Sequence, residues 1–263
     1  MRHPSSTPPL HREFLDRAVP LLASDRRIVG VAAAGSYAEN AMDAFSDLDL
    51  VVACEPAHHP GLMQHRTALA AKLGPLVAAF TGEHVGEPRL MICLYGPPAL
   101  HVDIKVVVLG DLAFRVDEPV VLWERAGCMT AVFAASSGAW PQPDPQWIED
   151  RFWVWVHYAA LKIARGELQE AFEFLSYLRV TVLGPLGAMR RGRKPAGVRR
   201  VEADPALSRQ LARTLGALNR HALADALNNA VTAYRELRPS SIEFNVDAER
   251  VATGFLADVH AIC

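Results

Sequence analysis

Apolar positions recur along this chain with two different periods, and the change from one to the other divides it. From Leu10 to Ser24, residues Phe14, Leu15, Ala18, Leu21 and Leu22 fall on one side of a helix, which Pro20 can kink. "RIVGVAAAG" then reads as a buried strand ending at Gly35, "SYAENAM" as a short helix and "SDLDLVVAC" as a second strand. Pro60 to Leu73 is a further helix, opened by proline in its first turn. "RLMICLYG" and "LHVDIKVVVL" are two β-rich runs around "GPPA" and predict a hairpin, and "VVLWERAG" predicts an edge strand. Strands that alternate with helices and end in a hairpin predict a mixed sheet with helices on one face.

The pattern changes at "WPQPDPQ", Trp140 to Gln146, where prolines at every second residue can continue neither a helix nor a central strand. Beyond it the period is helical to the end. "QWIEDRFWVWVHYAALKIARGELQEAFEFLSYLRVTVLGPL" predicts two helices meeting near Arg165 to Glu167, "PALSRQLARTLGALNRHALADALNNAVTAYRELR" one or two more, and "DAERVATGFLADVHAI" a last one. The expected fold class is α+β. A disordered leader over 1–10 precedes a mixed-sheet domain over 11–140, and a C-terminal helical bundle domain covers 147–263.

Composition narrows the setting. The 263 residues are 51% hydrophobic and 21% charged, as in ordinary globular proteins. A net charge of −2 argues against a nucleic-acid partner or an acidic membrane surface. No apolar run approaches the roughly 20 residues that span a bilayer. "MRHPSSTPPL" lacks the apolar core of a signal peptide, and Cys54, Cys93, Cys128 and Cys263 form no CxxC pair. Free thiols in a cytoplasmic protein are the expectation.

The chemistry is concentrated in "GSYAENAMDAFSDLDLVV". On a strand, Asp47 and Asp49 project to one face while Leu48 and Leu50 enter the core. Two aligned carboxylates repel each other unless a cation neutralises them, and carboxylate oxygens suit Mg²⁺. Asp103, alone in the apolar run "HVDIKVVV", is a third acid that a neighbouring strand can bring opposite the pair. Three such carboxylates can hold two divalent ions about 4 Å apart, the arrangement that assists in-line displacement at phosphorus. Gly35 allows close backbone approach to a ligand, Ser36 adds a hydroxyl donor, and a helix opening there attracts an anion. Against this reading stands the plainer one, in which the Gly-Ser turn is structural and Asp47 and Asp49 cap a strand end or pair with surface arginines.

Gly35-Ser36, ten intervening residues and Asp47-Leu48-Asp49-Leu50, with Asp103 downstream, resemble the signature of the DNA polymerase beta-like nucleotidyltransferase superfamily. Size and layout are similar to antibiotic nucleotidyltransferases of the lincosamide and aminoglycoside-6 types. The signature covers about Val29 to Val108, and a weaker likeness runs through "FWVWVHYAALKIARGELQEAFEFLSYLR". The resemblance implies transfer of AMP from ATP to a hydroxyl of a small acceptor, with release of pyrophosphate. It implies two Mg²⁺ ions on Asp47, Asp49 and Asp103, with Asp103 helping to remove the acceptor's proton, and the triphosphate on Gly35 and Ser36. Two other readings stay open: a nucleotidyltransferase acting on a protein or RNA, and a non-catalytic nucleotide-binding regulatory module. A monomer and a homodimer are equally compatible with the sequence.

In the helical half, Lys162 and Arg165 lie one turn apart and share a face. Some members of the superfamily use a lysine of the corresponding helix on the nucleotide phosphates. The alternative puts both heads in solvent with their stems on apolar surface. His157 reads as a satisfied interior histidine, and Trp153 and Trp155 as core. Glu167, Glu170 and Glu173 are equivalent candidates for a base. "RRGRKPAGVRR" reads as a solvated inter-helix loop, and His58, His59 and His65 as surface residues without a ligand spacing.

Overall fold

The computed structural model describes residues 2–263. The chain divides into two compact units, Met1–Trp140 and Pro141–Cys263.

In the first unit the elements are α1 (Pro9–Ser24), β1 (Ile28–Ala33), α2 (Gly35–Ala38), β2 (Leu48–Cys54), α3 (His59–Gln64) and α4 (Arg66–Leu73). They continue with β3 (Leu76–Gly82), β4 (Glu87–Tyr95), β5 (Leu100–Val108), β6 (Val120–Glu124) and α5 (Cys128–Ala134). Among the described residues the six strands form one sheet in the order β3-β4-β5-β2-β1-β6. Only the β2–β5 pairing is parallel; the others are antiparallel, so the sheet is mixed and the fold is α+β. The hairpin around "GPPA" pairs β4 with β5, and β6 is an edge strand on β1.

Alternation decides the faces. Leu48, Leu50 and Val52 of β2, Met91, Cys93 and Tyr95 of β4, and Val102, Ile104 and Val106 of β5 are buried beneath α1, α3 and α4. Full burial of each such aliphatic side chain contributes about 1.5–3 kcal/mol. The opposite face is covered at one end by α5, where Val29, Ala32, Ala53, Val107 and Met129 make a smaller cluster.

Three expectations differ from what is found, and two further elements are present. Asp47 is the last residue before β2 rather than part of it. The helix expected over Pro60 to Leu73 breaks into α3 and α4 at His65. The strand β3 and helix α5 were not expected at all. The N-terminal residues, expected as a disordered leader over 1–10, are held in place from His3 onward, and α1 already starts at Pro9; Met1 lies outside the described residues.

The second unit holds α6 (Pro145–Arg165), α7 (Leu168–Leu178), α8 (Gly184–Met189), α9 (Pro205–Ala212), α10 (Arg220–Leu237) and α11 (Val246–Ala261). Sequence punctuation sets these bounds. Asp144 accepts bonds from the amides of Gln146 and Trp147, with Pro145 at the first helical position. Gly166, at φ 74°, ends the helix. Asp204, Asn219 and Asn245 cap α9, α10 and α11 in the same way. Trp153 is buried, whereas Trp155 is half-buried between Trp147 and Tyr177. At the centre, Glu149 is buried and accepts bonds from Trp153 Nε1 (2.9 Å), Tyr234 Oη (2.6 Å), Arg238 Nη1 (3.2 Å) and the Asn245 amide (3.0 Å). One carboxylate thereby joins α6, α10 and the start of α11.

Candidate active site

Asp49 and Asp103 face each other across adjacent strands. In the parallel β2–β5 register Asp49 is the Cα partner of Asp103, on the sheet face away from α1, α3 and α4. Residues paired across neighbouring strands project to the same face of the pleat, so both carboxylates point the same way. The elevation of the Asp103 carboxyl above the ordinary carboxylate range has burial as its main cause, and the negative charge of Asp47 adds to it. His101, two residues earlier on the same face, works against the rise: its Nε2–H donates to Asp103 Oδ1 at 2.8 Å. Lys105, two residues later, is committed to Glu87 at 2.6 Å.

The three carboxylates are not gathered into one tight cluster. Among the described residues, the trio of metal-type donors whose atoms lie within 4.8 Å of one another is elsewhere, in the second unit. The backbone register is already set, so rotation about the aspartate side-chain torsions is the adjustment left to bring the oxygens onto shared ions.

The Gly35-Ser36 turn lies against Asp49. Gly35 has φ 56°, and a Cβ placed on it would sit 2.3 Å from Asp49 Oδ2. Glycine is therefore required twice, for the left-handed backbone and for the space the carboxylate occupies. The Ala34 amide donates to the Asp49 carbonyl at 2.9 Å, tying the turn to β2. Ser36 is buried, and its Oγ has no hydrogen-bond partner among the described residues. A buried hydroxyl without a partner is costly and marks a place where a ligand can complete the bonding. The helix that follows is one turn long, so the macrodipole expected from the sequence contributes little, and the backbone approach at Gly35 and the hydroxyl of Ser36 carry the anion chemistry.

Residues that sequence reasoning did not single out shape this wall. His11 is buried and its Nε2–H donates to the Ser46 carbonyl at 2.6 Å, immediately before Asp47. The Ser6 amide donates to Asn40 Oδ1 at 3.1 Å, and the Met42 amide to Ser6 Oγ at 3.2 Å. His3 joins Tyr37 Oη and Asp16, both at 3.1 Å. His101 stands one alternation from Asp103, which a period-2 reading of β5 could have flagged; the contacts of His3, Ser6 and His11 carry no local signal.

Lys162 and Arg165 lie at the end of α6. Lys162 Nζ contacts Glu167 at 2.6 Å and Glu170 at 2.9 Å, and Arg165 Nε contacts Glu167 at 2.5 Å. Glu167, followed by Glu170, raises the Lys162 ammonium above its usual range. Glu170 also accepts from Tyr158 Oη. His157 is half-buried against Phe255, with ring centroids 4.7 Å apart. His58 and His65 are exposed, whereas His59 is half-buried with its Nε2 unpartnered among the described residues.

The carboxylate set fits hard divalent cations, and the Gly35 cradle and the Ser36 hydroxyl fit a phosphate group. No helix among the described residues is long and apolar enough to cross a membrane. No protein-family model and no curated protein matches the sequence. Among the solved structures similar to the chain are two nucleotidyltransferase-type proteins. One is an aminoglycoside 6-adenyltransferase from Bacillus subtilis, 13% identical, matched over 95% of this chain and 98% of that one with a TM-score of 0.43. The other is a nucleotidyltransferase-like protein from Exiguobacterium sibiricum 255-15, also 13% identical, matched over 92% of this chain and 77% of that one with a TM-score of 0.39.

Proposed function

We propose that this protein is a Mg²⁺-dependent nucleotidyltransferase that moves AMP from ATP to a hydroxyl of a small molecule and releases pyrophosphate. The observation that carries the reading is the Asp49–Asp103 register beside a turn built from a left-handed glycine and a buried, unpartnered serine. Asp47, Asp49 and Asp103 would hold two divalent ions, which when bound neutralise charge on the phosphoryl oxygens. Gly35 and Ser36 hold the β- and γ-phosphates. The acceptor oxygen bonds to the α-phosphorus as the bond from that phosphorus to the bridging oxygen of the β-phosphate breaks; the acceptor's proton passes toward Asp103.

In-line displacement fixes the acceptor's direction of approach. With the leaving pyrophosphate on the Gly35 side, the acceptor enters opposite to it, over β5 and β4. There Ile92 is the partner of Asp103 and Leu94 that of His101, with Phe80 beside Ile92. Phe80 is 56% and Leu94 43% exposed, on a face that would ordinarily be polar. The acceptor in this reading presents an apolar face as well as a hydroxyl, as a lincosamide-type antibiotic does more than a polycationic aminoglycoside.

Lys162 and Arg165, expected on the nucleotide phosphates, are engaged by Glu167 and Glu170 within the second unit. The test is pyrophosphate release with ATP and Mg²⁺ across a panel of apolar-faced and polycationic hydroxylated acceptors, with calorimetry of ATP binding alongside. Mg²⁺-dependent ATP binding with release for an apolar-faced acceptor is expected. Absence of both across the panel would overturn the reading. Labelled ATP incorporated into protein or RNA of a lysate, with no small acceptor used, would move the activity to a macromolecule.

A further inference from the structure

The second unit carries a cluster that the nucleotide chemistry does not use. His221 and Asp225 are one turn apart on the first turns of α10, and His260 is on the last turn of α11. His260 Nε2 lies 2.7 Å from Asp225 Oδ1, and His221 Nε2 lies 3.6 Å from Asp225 Oδ2. The imidazole centroids are 4.9 Å apart, and one donor atom from each of the three residues lies within 4.8 Å of the others. Ligands at i and i+4 on a helix share a face, which is the usual way a helix supplies two donors to one ion.

The scaffold under the cluster is rigid. Leu223, Ala224 and Leu227 of α10 and Ala252, Leu256 and Val259 of α11 are buried in one core, so the helix ends keep their spacing without help from the surface residues. The three side chains themselves are substantially exposed, so an ion can enter and keep a water ligand. Tetrahedral zinc with Zn–N near 2.0–2.1 Å sets donors about 3.3 Å apart, a separation that rotamer adjustments reach from the distances seen. Two imidazoles and one carboxylate favour Zn²⁺, Co²⁺ or Ni²⁺ over Mg²⁺ or Ca²⁺.

We infer that His221, Asp225 and His260 form a surface site for a divalent transition metal, with zinc the best fit, that clips the start of α10 to the end of α11. On binding, His260 gives up the Nε2–H···Oδ1 bond, its single ring proton moves through solvent to Nδ1, and Nε2 and the carboxylate oxygen each donate a lone pair to the ion. The site is distinct from Asp47, Asp49 and Asp103, and it stands whether or not those acids bind nucleotide.

The experiment is calorimetric titration of the full chain with Zn²⁺ in excess Mg²⁺, in a Cys263→Ser background because that exposed thiol is a zinc ligand in its own right. One zinc per chain is expected, with a rise in Tm and with visible absorption when Co²⁺ replaces zinc. His260→Ala and His221→Ala should each abolish all three, while Asp49→Asn leaves them unchanged. Circular dichroism checks that the variants keep their helices, and the greater exposure of His221 makes its variant the safer of the two. Absence of zinc binding, or binding that survives either histidine substitution in a folded protein, would overturn the inference.

Discussion

At the residue scale, the reading turns on a few atoms. Asp49→Asn removes a charge and almost no volume, so the fold should persist while nucleotidyl transfer falls by at least about a hundredfold. Steady-state kinetics with a Tm within a few degrees of wild type checks it, and unchanged turnover counts against Asp49 as a metal ligand. Lys162 is a sharper case, because two glutamates already satisfy it. If it exchanges them for phosphate, Lys162→Ala raises the KM for ATP about tenfold, which corresponds to about 1.4 kcal/mol; a role confined to the α6–α7 corner lowers Tm and leaves KM alone. The acids were legible in the sequence because charges two residues apart in an apolar run contradict burial. What that pattern could not supply was register: only the pairing of β2 with β5 sets Asp49 against Asp103. Likewise, nothing local in "PPLHREF" announces that His11 will hold the Ser46 carbonyl, since that contact crosses 35 positions.

At the scale of elements, two ionic devices give measurable consequences. Glu149 is buried with Arg238 as its ionic partner and with Tyr234 and Trp153 as further donors. Burial alone would raise its carboxyl, yet bonds from Tyr234 and Trp153 hold it below the ordinary range. Glu149→Ala leaves those donors and a buried guanidinium unpaired, and should lower unfolding free energy by about 3–5 kcal/mol in urea titrations. Glu87 joins β4 to β5 through Lys105, and Arg89, followed by Lys105, holds its carboxyl down from 4.5 to about 2 against some burial. A depressed carboxyl stabilises above its unfolded value and loses that contribution as pH falls through the folded one. Wild type should therefore exceed Glu87→Gln above pH 4.5, with the difference vanishing toward pH 2. The plateau should be about 1 kcal/mol, because the pair is partly exposed and screened.

The strongly periodic helices and the β4–β5 hairpin were readable from the sequence. The strand β3, "LVAAFTG", was not, because its apolar residues do not alternate with polar ones. That irregularity is the same property that leaves Phe80 on the open face. The break at His65 has no signal in the sequence, because the apolar residues of α3 and α4 run on as if one helix carried both.

At the scale of the whole molecule, the prolines at 141, 143 and 145 mark the composition change and the chain divides into units after Trp140. The net charge is −2, and the basic loop is partly spoken for, with Arg190 donating to the Glu236 carbonyl and Arg191 paired with Asp204. The opening residues were the part least visible in advance. Low hydrophobicity suggested disorder, yet their polar groups find partners on the segment between Ser36 and Asp47. Deleting residues 2–8 should speed hydrogen exchange of amides 40–46 while leaving those of β4 and β5 unchanged, as mass spectrometry can read.

On the proposed function, that brace would make the amino terminus a remote control on catalysis. A purification tag, a processing protease or a start codon moved a few positions downstream would all act on the backbone that aims Asp47, though none comes near it in sequence. Turnover measured on differently trimmed preparations should differ even where their melting curves coincide.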